Sequence, residues 1–190
     1  MKTVTLHVKS LTPITFGKYH QTEKLEKELH DDYEQRTWRE KTHYNKDGFV
    51  YIPGTMVTNC LRESAKYLSL PIKGKGKATY TKHFDAGLIP MNDIVLKVKK
   101  DDVKGHAQHV PSDGKPGGSK RVIKMFPIIH DWEGTITIAI GDDIITADVF
   151  EQVVRNAGNL IGLGTWRPRN RGMNGRFELL SMQWNKNGMK

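Results

Sequence analysis

Two stretches of the chain carry a continuous apolar stripe at helical spacing, and alternating stretches lie before, between and after them. In the first, Val57, Cys60, Leu61, Ser64, Ala65 and Leu68 fall at i, i+3, i+4, i+7, i+8 and i+11, which is one helix face. In the second, Val149, Phe150, Val153, Val154, Ala157 and Leu160 form the stripe. Thr55 and Thr146 stand where each helix needs an N-cap, and Leu70-Pro71 closes the first. Residues 3–11 alternate, with Val4, Leu6 and Val8 on one side and Thr3, Thr5 and His7 on the other. Further strands are expected at residues 49–52, 86–89, 94–98, 121–129, 134–140 and 176–184. Stripped of its additions, the order is βαββαβ. That order predicts an α+β fold of the ferredoxin-like or RRM-like kind, an antiparallel sheet with two helices on one face.

A chain of 190 residues fits one domain, and at this size it buries enough surface to need no disulfide or metal staple. The single cysteine, Cys60, cannot form an intramolecular disulfide and sits on an apolar helix face, where a thiol is inert. No apolar run is long enough to span a bilayer, and the N-terminus alternates instead of carrying a signal-peptide core. A single domain over residues 1–190, working in the cytoplasm, is the expectation. Four additions decorate it. Residues 17–45 form a charged helical insertion after the first strand, with Leu25, Leu29, Tyr33 and Trp38 as a partial stripe. Residues 72–83 form a basic loop, 99–120 a polar loop and 162–176 a Gly/Arg loop.

Charge points to the partner. Thirty Lys and Arg against 21 Asp and Glu leave +9, a balance suited to a polyanion. Two windows without acids hold most of it: Lys73, Lys75, Lys77 and Lys82 in one, Arg167, Arg169, Arg171 and Arg176 in the other. Glycines 74, 76, 162, 164, 172 and 175 would let backbone amides approach an anion. Tyr80 and Trp166 supply aromatic faces. Cations beside aromatics are what single-strand binders use, with phosphates on Lys and Arg and bases stacked on rings. Arginine, whose planar fork matches phosphate, favours bidentate contacts in the second window. Neither window spells a Walker loop or a G-x-G-x-x-G dinucleotide turn.

Catalytic and metal chemistry has little support in the sequence. His106 and His109, with Asp101, Asp102 and Asp113 nearby, lack the further ligands zinc requires. No metal or other cofactor is expected. His20, His30, Asp31 and Asp32 are the only candidates for acid–base work or a Mg²⁺ site, and none is assigned a catalytic role.

The run Ile161-Gly162-Leu163-Gly164-Thr165-Trp166-Arg167 through Arg171-Gly172-Met173-Asn174-Gly175-Arg176-Phe177 resembles the glycine-rich loop of the RAMP superfamily. These are the RRM-fold proteins of CRISPR effector complexes. Ile52-Pro53-Gly54-Thr55 leading to Cys60-Leu61-Arg62 is similar to their entry into the first helix, and the pattern also resembles short RAMP-like proteins of bacteriophages. The resemblance implies RNA binding along a basic groove, often by a protein that polymerises on the strand. It implies that Gly172, Gly175 and Arg176 belong to the loop and that Arg167, Arg169 and Arg171 contact phosphate. Single-stranded RNA ahead of DNA, little sequence preference, and a homo-oligomer contacting its neighbour through residues 17–45 complete the expectation. A RAMP-type endoribonuclease and a protein-binding scaffold or inhibitor are the alternatives.

Overall fold

The computed structural model describes residues 1–112 and 120–185. Its centre is a four-stranded antiparallel sheet in the spatial order β9-β1-β8-β4. These strands are β1 (Lys2–Ser10), β4 (Leu88–Pro90), β8 (Glu133–Ile140) and β9 (Phe177–Asn185). Helix α2 (Gly54–Leu68) lies between β1 and β4 in the chain, and α4 (Ala147–Asn156) lies between β8 and β9. The result is the α+β, ferredoxin-like βαββαβ fold, with its first and third strands central. Val4, Leu6 and Val8 alternate into the core with Ile136, Ile138 and Ile140 of the neighbouring strand. Against them the two helices press Leu61, Cys60, Phe150 and Val153. Burying each large apolar side chain contributes about 1.5–3 kcal/mol, so this face dominates the stability of the fold.

The other elements sit around that centre. The strands β3 (Phe49–Ile52) and β5 (Ile94–Lys99) pair with each other. The strands β2 (Ile14–Thr15), β7 (Arg121–Ile129) and β6 (Lys104–Pro111) form a second small sheet. Helix α1 (His30–Thr37), followed by a 3-10 turn at Trp38–Lys41, lies in the insertion, and α3 (Thr81–Gly87) leads directly into β4.

Several expectations are corrected, each for a tertiary reason. Residues 86–89 are not one strand, because Phe84 is buried from a short helix that ends at Gly87. Residues 104–111, expected in a polar loop, form β6, since a long, regularly paired neighbour in β7 recruits even a Lys-Gly-His-Ala-Gln-His edge. Residues 113–119 of that loop lie outside the described residues. Thr55 does not cap α2: the Gly54 amide donates instead to Asp93 Oδ1 at 2.7 Å, a carboxylate brought from the β4–β5 connection. In α4 the stripe ends on Ile161, which is buried, while Leu160 is exposed. The last turn there is widened, with Gly162 N–H donating to Ala157 O five residues back.

The insertion is tied down more firmly than a surface decoration. Trp38 is only 5% exposed and lies against Gly105 of β6, where a Cβ would stand 3.2 Å from its ring and 2.5 Å from Met125 Cε. Glu34 accepts from the Met125 amide at 2.7 Å and also pairs with Lys41, which itself donates to Met125 O at 2.9 Å. Arg36 bridges Glu28 at 2.8 Å. Trp38 is therefore core, unavailable to a neighbouring copy, whereas Tyr19, Leu25 and Leu29 are exposed.

Candidate nucleic-acid interface

The Gly/Arg loop is held in place by its backbone. Leu163 N–H donates to Gly175 O at 2.9 Å, and Gly175 N–H donates to Pro13 O at 2.7 Å. Thr165 N–H donates to Thr15 O at 2.9 Å, while the Thr15 hydroxyl donates to Thr165 O at 2.8 Å. These contacts explain the glycines. A Cβ at 172 would stand 1.7 Å from Trp166 O, and one at 175 would stand 1.9 Å from Leu163 O. Gly164 has φ +75°, and a Cβ there would stand 2.3 Å from Thr15 O. These glycines let two passes of the loop and β2 approach one another.

That bracing projects Trp166. Its φ is +56°, a left-handed conformation that is rare for a bulky residue and is retained only where surroundings enforce it. Here the enforcement is visible, since Asn174 N–H donates to Trp166 O at 3.0 Å over Gly172. The indole is 38% exposed and meets the Phe126 ring of β7 edge-on, centroids 5.9 Å apart. Beside it opens a cleft of about 490 Å³ lined by Trp166, Arg167, Asn170, Met56, Asn59, Thr55 and His43 among others. Among the described residues no carboxylate lines it. Burial, and then the nearby Lys18 ammonium, push the His43 pKa below its usual value, so this ring faces the cleft uncharged at neutral pH.

Arg167 and Arg169 leave the loop towards α2 and meet the same carboxylate. Arg167 Nη1 lies 2.9 Å from Glu63 Oε2, and Arg169 Nε lies 2.8 Å from Glu63 Oε1. Arg169 lines a second cleft, of about 480 Å³, on the outer side of α2 with Asn59, Arg62, Glu63, Lys66 and Asp85. Asn59 borders both clefts. Arg62 is largely occupied, donating to Asn59 Oδ1, Asp85 O and Leu88 O. Arg171 is exposed in a left-handed turn, and Arg176 is half-buried with its Nε unpaired among the described residues.

The Lys-rich segment lies beyond the C-terminal end of α2. Ile72 is buried and exchanges hydrogen bonds that close a tight turn: Ile72 N–H to Ala78 O at 2.8 Å and Lys75 N–H to Ile72 O at 3.1 Å. Lys73, Lys75 and Lys77 project from it fully into solvent, and Gly74 and Gly76 have positive φ with open space where a Cβ would go. Tyr80 is half-buried against the core and precedes α3, on which Lys82 is exposed. The loop arginines and the turn lysines are thus not one cluster. The arginines Arg167 and Arg169 pair with Glu63 in the second half of α2, whereas the lysines lie beyond the C-terminal end of that helix.

His20 lies in the insertion, hydrogen-bonded to Thr22 Oγ1 at 3.1 Å and stacked on Tyr33. His30, Asp31 and Asp32 are exposed in the first turn of α1. Among the described residues, no three His, Cys, Asp or Glu side chains are grouped to hold a metal ion. Cys60 is buried, its thiol pKa pushed up to about 12 by desolvation. Asp113 lies outside the described residues.

Two features of the candidate site escaped the sequence. Glu63 sits on the solvent side of its helix stripe and meets residues more than 100 positions away, which no local charge count reveals. The β6–β7 hairpin is the other. Its described residues carry Lys104, Lys120, Arg121 and Lys124 without an acid, and its Phe126 braces Trp166. Spread over two strands, that excess forms no dense run; the signal was alternation with charge on an edge. By contrast, the sheet face turned away from the helices presents Thr5, His7, Lys9, Thr135 and Gln183, with no Phe, Tyr or Trp ring among the residues named.

No family model matches the chain, and no curated protein matches it. Among solved structures, the chain is similar to Cmr6 from Pyrococcus furiosus, 12% identical over 93% of this chain and 97% of that one, with a TM-score of 0.48. It is also similar to a Cas6 product complex, 14% identical over 93% of this chain and 51% of that one, with a TM-score of 0.34. In the protein itself, no helix among the described residues is long and apolar enough to cross a membrane.

Proposed function

We propose that the protein binds single-stranded nucleic acid, RNA in preference to DNA, with the Trp166 cleft as its anchor. The observation that carries this reading is the pairing of a strained, half-exposed indole with Arg167 around a carboxylate-free cleft. A base stacked on the indole gains about 1–3 kcal/mol, and a neighbouring phosphate meets a guanidinium fork. From there the strand runs along the outer side of α2, past Arg169 and Lys66, towards Lys73, Lys75 and Lys77. Lys104 and Lys124 widen the field from the β6–β7 hairpin, the ribbon whose Phe126 meets Trp166.

Phosphate contacts and stacking position a strand without reading its bases, so sequence preference is low. The resemblance of residues 52–55 and 161–178 to RAMP motifs supports RNA over DNA. Assembly of several copies on one strand belongs to the same reading; exposed Tyr19, Leu25 and Leu29, not Trp38, are its candidate contacts. The test is fluorescence anisotropy against labelled single-stranded RNA, single-stranded DNA and duplex DNA over a salt series. Tighter binding of single strands, lost in Trp166→Ala, is the expected result. Equal binding to duplex, or no effect of Trp166→Ala, overturns it.

A further inference from the structure

Glu63 lines the α2 cleft and pairs with Arg167, which lines the Trp166 cleft. It projects from α2 between Arg167 at the mouth of the Trp166 cleft and Arg169 in the α2 cleft, giving one carboxylate oxygen to each. The side chains of Glu63 and Arg167 are partly buried, at 28% and 26% exposure, and Arg169, at 54%, is exposed, so its pair with Glu63 contributes little to stability. Each guanidinium has five N–H donors, of which Glu63 engages one at the distances given. Among the described residues the remaining donors make no other hydrogen bond, which leaves them to an incoming anion. The carboxylate thus holds two phosphate-binding groups in a fixed orientation while cancelling one of their two charges.

We propose that Glu63 is a latch that sets the affinity of the strand site, restraining Arg167 and Arg169 in the free protein and opposing each phosphate that approaches them. This rests on the single-strand reading above and concerns the same site. Two arginines sharing a carboxylate present a net charge of one to a backbone that carries a charge at every residue. Binding at one arginine therefore takes place within reach of an unneutralised negative group, which weakens it. The cost falls on every phosphate chain equally, so it lowers affinity without changing base preference. It keeps the site reversible at low salt, where the lysine turn and the ribbon alone would otherwise hold strands tightly.

The latch makes a prediction of unusual sign, since removing a salt bridge should improve function. Glu63→Gln keeps the shape and an acceptor oxygen but removes the charge. Binding of a fluorescein-labelled oligouridylate should tighten by about three- to ten-fold at low salt, the size expected for one charge several ångströms away in a high dielectric. The slope of log K against log salt should steepen by up to about 0.7, one further phosphate contact on a single strand. In an Arg167→Ala, Arg169→Ala background the same substitution should leave the salt slope unchanged, because the groups it releases are gone. Glu63→Ala, which removes the same charge with a higher helix propensity, is the second variant and should act in the same direction. Unchanged or weaker binding by both variants, with the unsubstituted protein still binding RNA, overturns the latch and leaves the strand site standing. Absence of binding by the unsubstituted protein overturns both.

Discussion

Residues 162–176 and residues 72–83 look alike as sequence: each has glycines, four cations and an aromatic ring, and no acid. Folded, they are opposites. In the first, glycines are enforced by backbone atoms 1.7–2.3 Å from where a Cβ would stand at 172, 175 and 164, and two cations are paired to Glu63. In the second, Gly74 and Gly76 have nothing within 4 Å, and three lysines extend freely into solvent. The first is built for placement, the second for field. A rigid loop can aim an indole and two guanidiniums at defined points, whereas a lysine turn attracts phosphate from any direction.

The largest expected effect tests the glycines. Gly172→Ala forces a methyl into the Trp166 carbonyl and should destabilise the fold by about 3 kcal/mol or more, read as a shifted urea midpoint. Gly74→Ala meets only its own left-handed backbone and should cost about 1–2 kcal/mol. Equal costs would erase the contrast. Next comes the aromatic pair. Trp166→Ala should weaken RNA binding about 5- to 150-fold, the equivalent of one lost stack, with the Gly-loop hydrogen bonds intact. Tyr80→Ala should instead lower the melting temperature while affinity stays nearly constant, because that ring packs on the core. A large affinity loss in Tyr80→Ala would make it a second stacking platform.

Smaller still is the lysine turn. Replacing Lys73, Lys75 and Lys77 with Ala together should reduce the salt slope by up to about 2 and leave stability within about 0.5 kcal/mol. Affinity should fall uniformly across RNA sequences. If the fold weakens as well, the turn is structural after all. The smallest effect is a pH dependence near the first region. His43 has its folded pKa below the usual 6.5, so below that pH the unfolded chain takes up a proton that the folded chain resists. Its contribution is complete above about pH 6.5 and is lost as the pH falls below that value. Urea midpoints between about pH 7 and 5.5 should decline, and His43→Gln should flatten the decline. Glu40, held down chiefly by its bond to Lys100, acts only at lower pH: its share is present above about pH 4.5 and is lost as the pH falls further. An unaltered decline in His43→Gln would remove this ring from the cleft's electrostatics.

The legible parts of the fold were those where one face is buried along its whole length. Val57 to Leu68 and Val4 to Val8 announced themselves by period, and the structure buries nearly all of them. Elements failed to show where a neighbour, not their own composition, stabilises them. β6 exists because β7 pairs with it, α3 because Phe84 found a pocket against Phe150, and Asp93 caps a helix that begins 39 residues earlier. In the candidate site, Trp166 and the arginines were legible from composition, and their different settings were not.

The sequence by itself determined the βαββαβ order, the inert Cys60 and the presence of two basic, glycine-rich segments with nearby rings. Periodicity and charge are properties of neighbours in the chain, so a linear reading captures them. Only the tertiary structure decided which cations are free, which glycines are obligatory, and which aromatic ring faces solvent. Those outcomes depend on contacts such as Glu63 with Arg169 and Gly175 with Pro13, across more than 100 residues of chain. At such separations, hydrogen bonds and charge pairing are set by where the folded core brings the segments, not by the residues beside them.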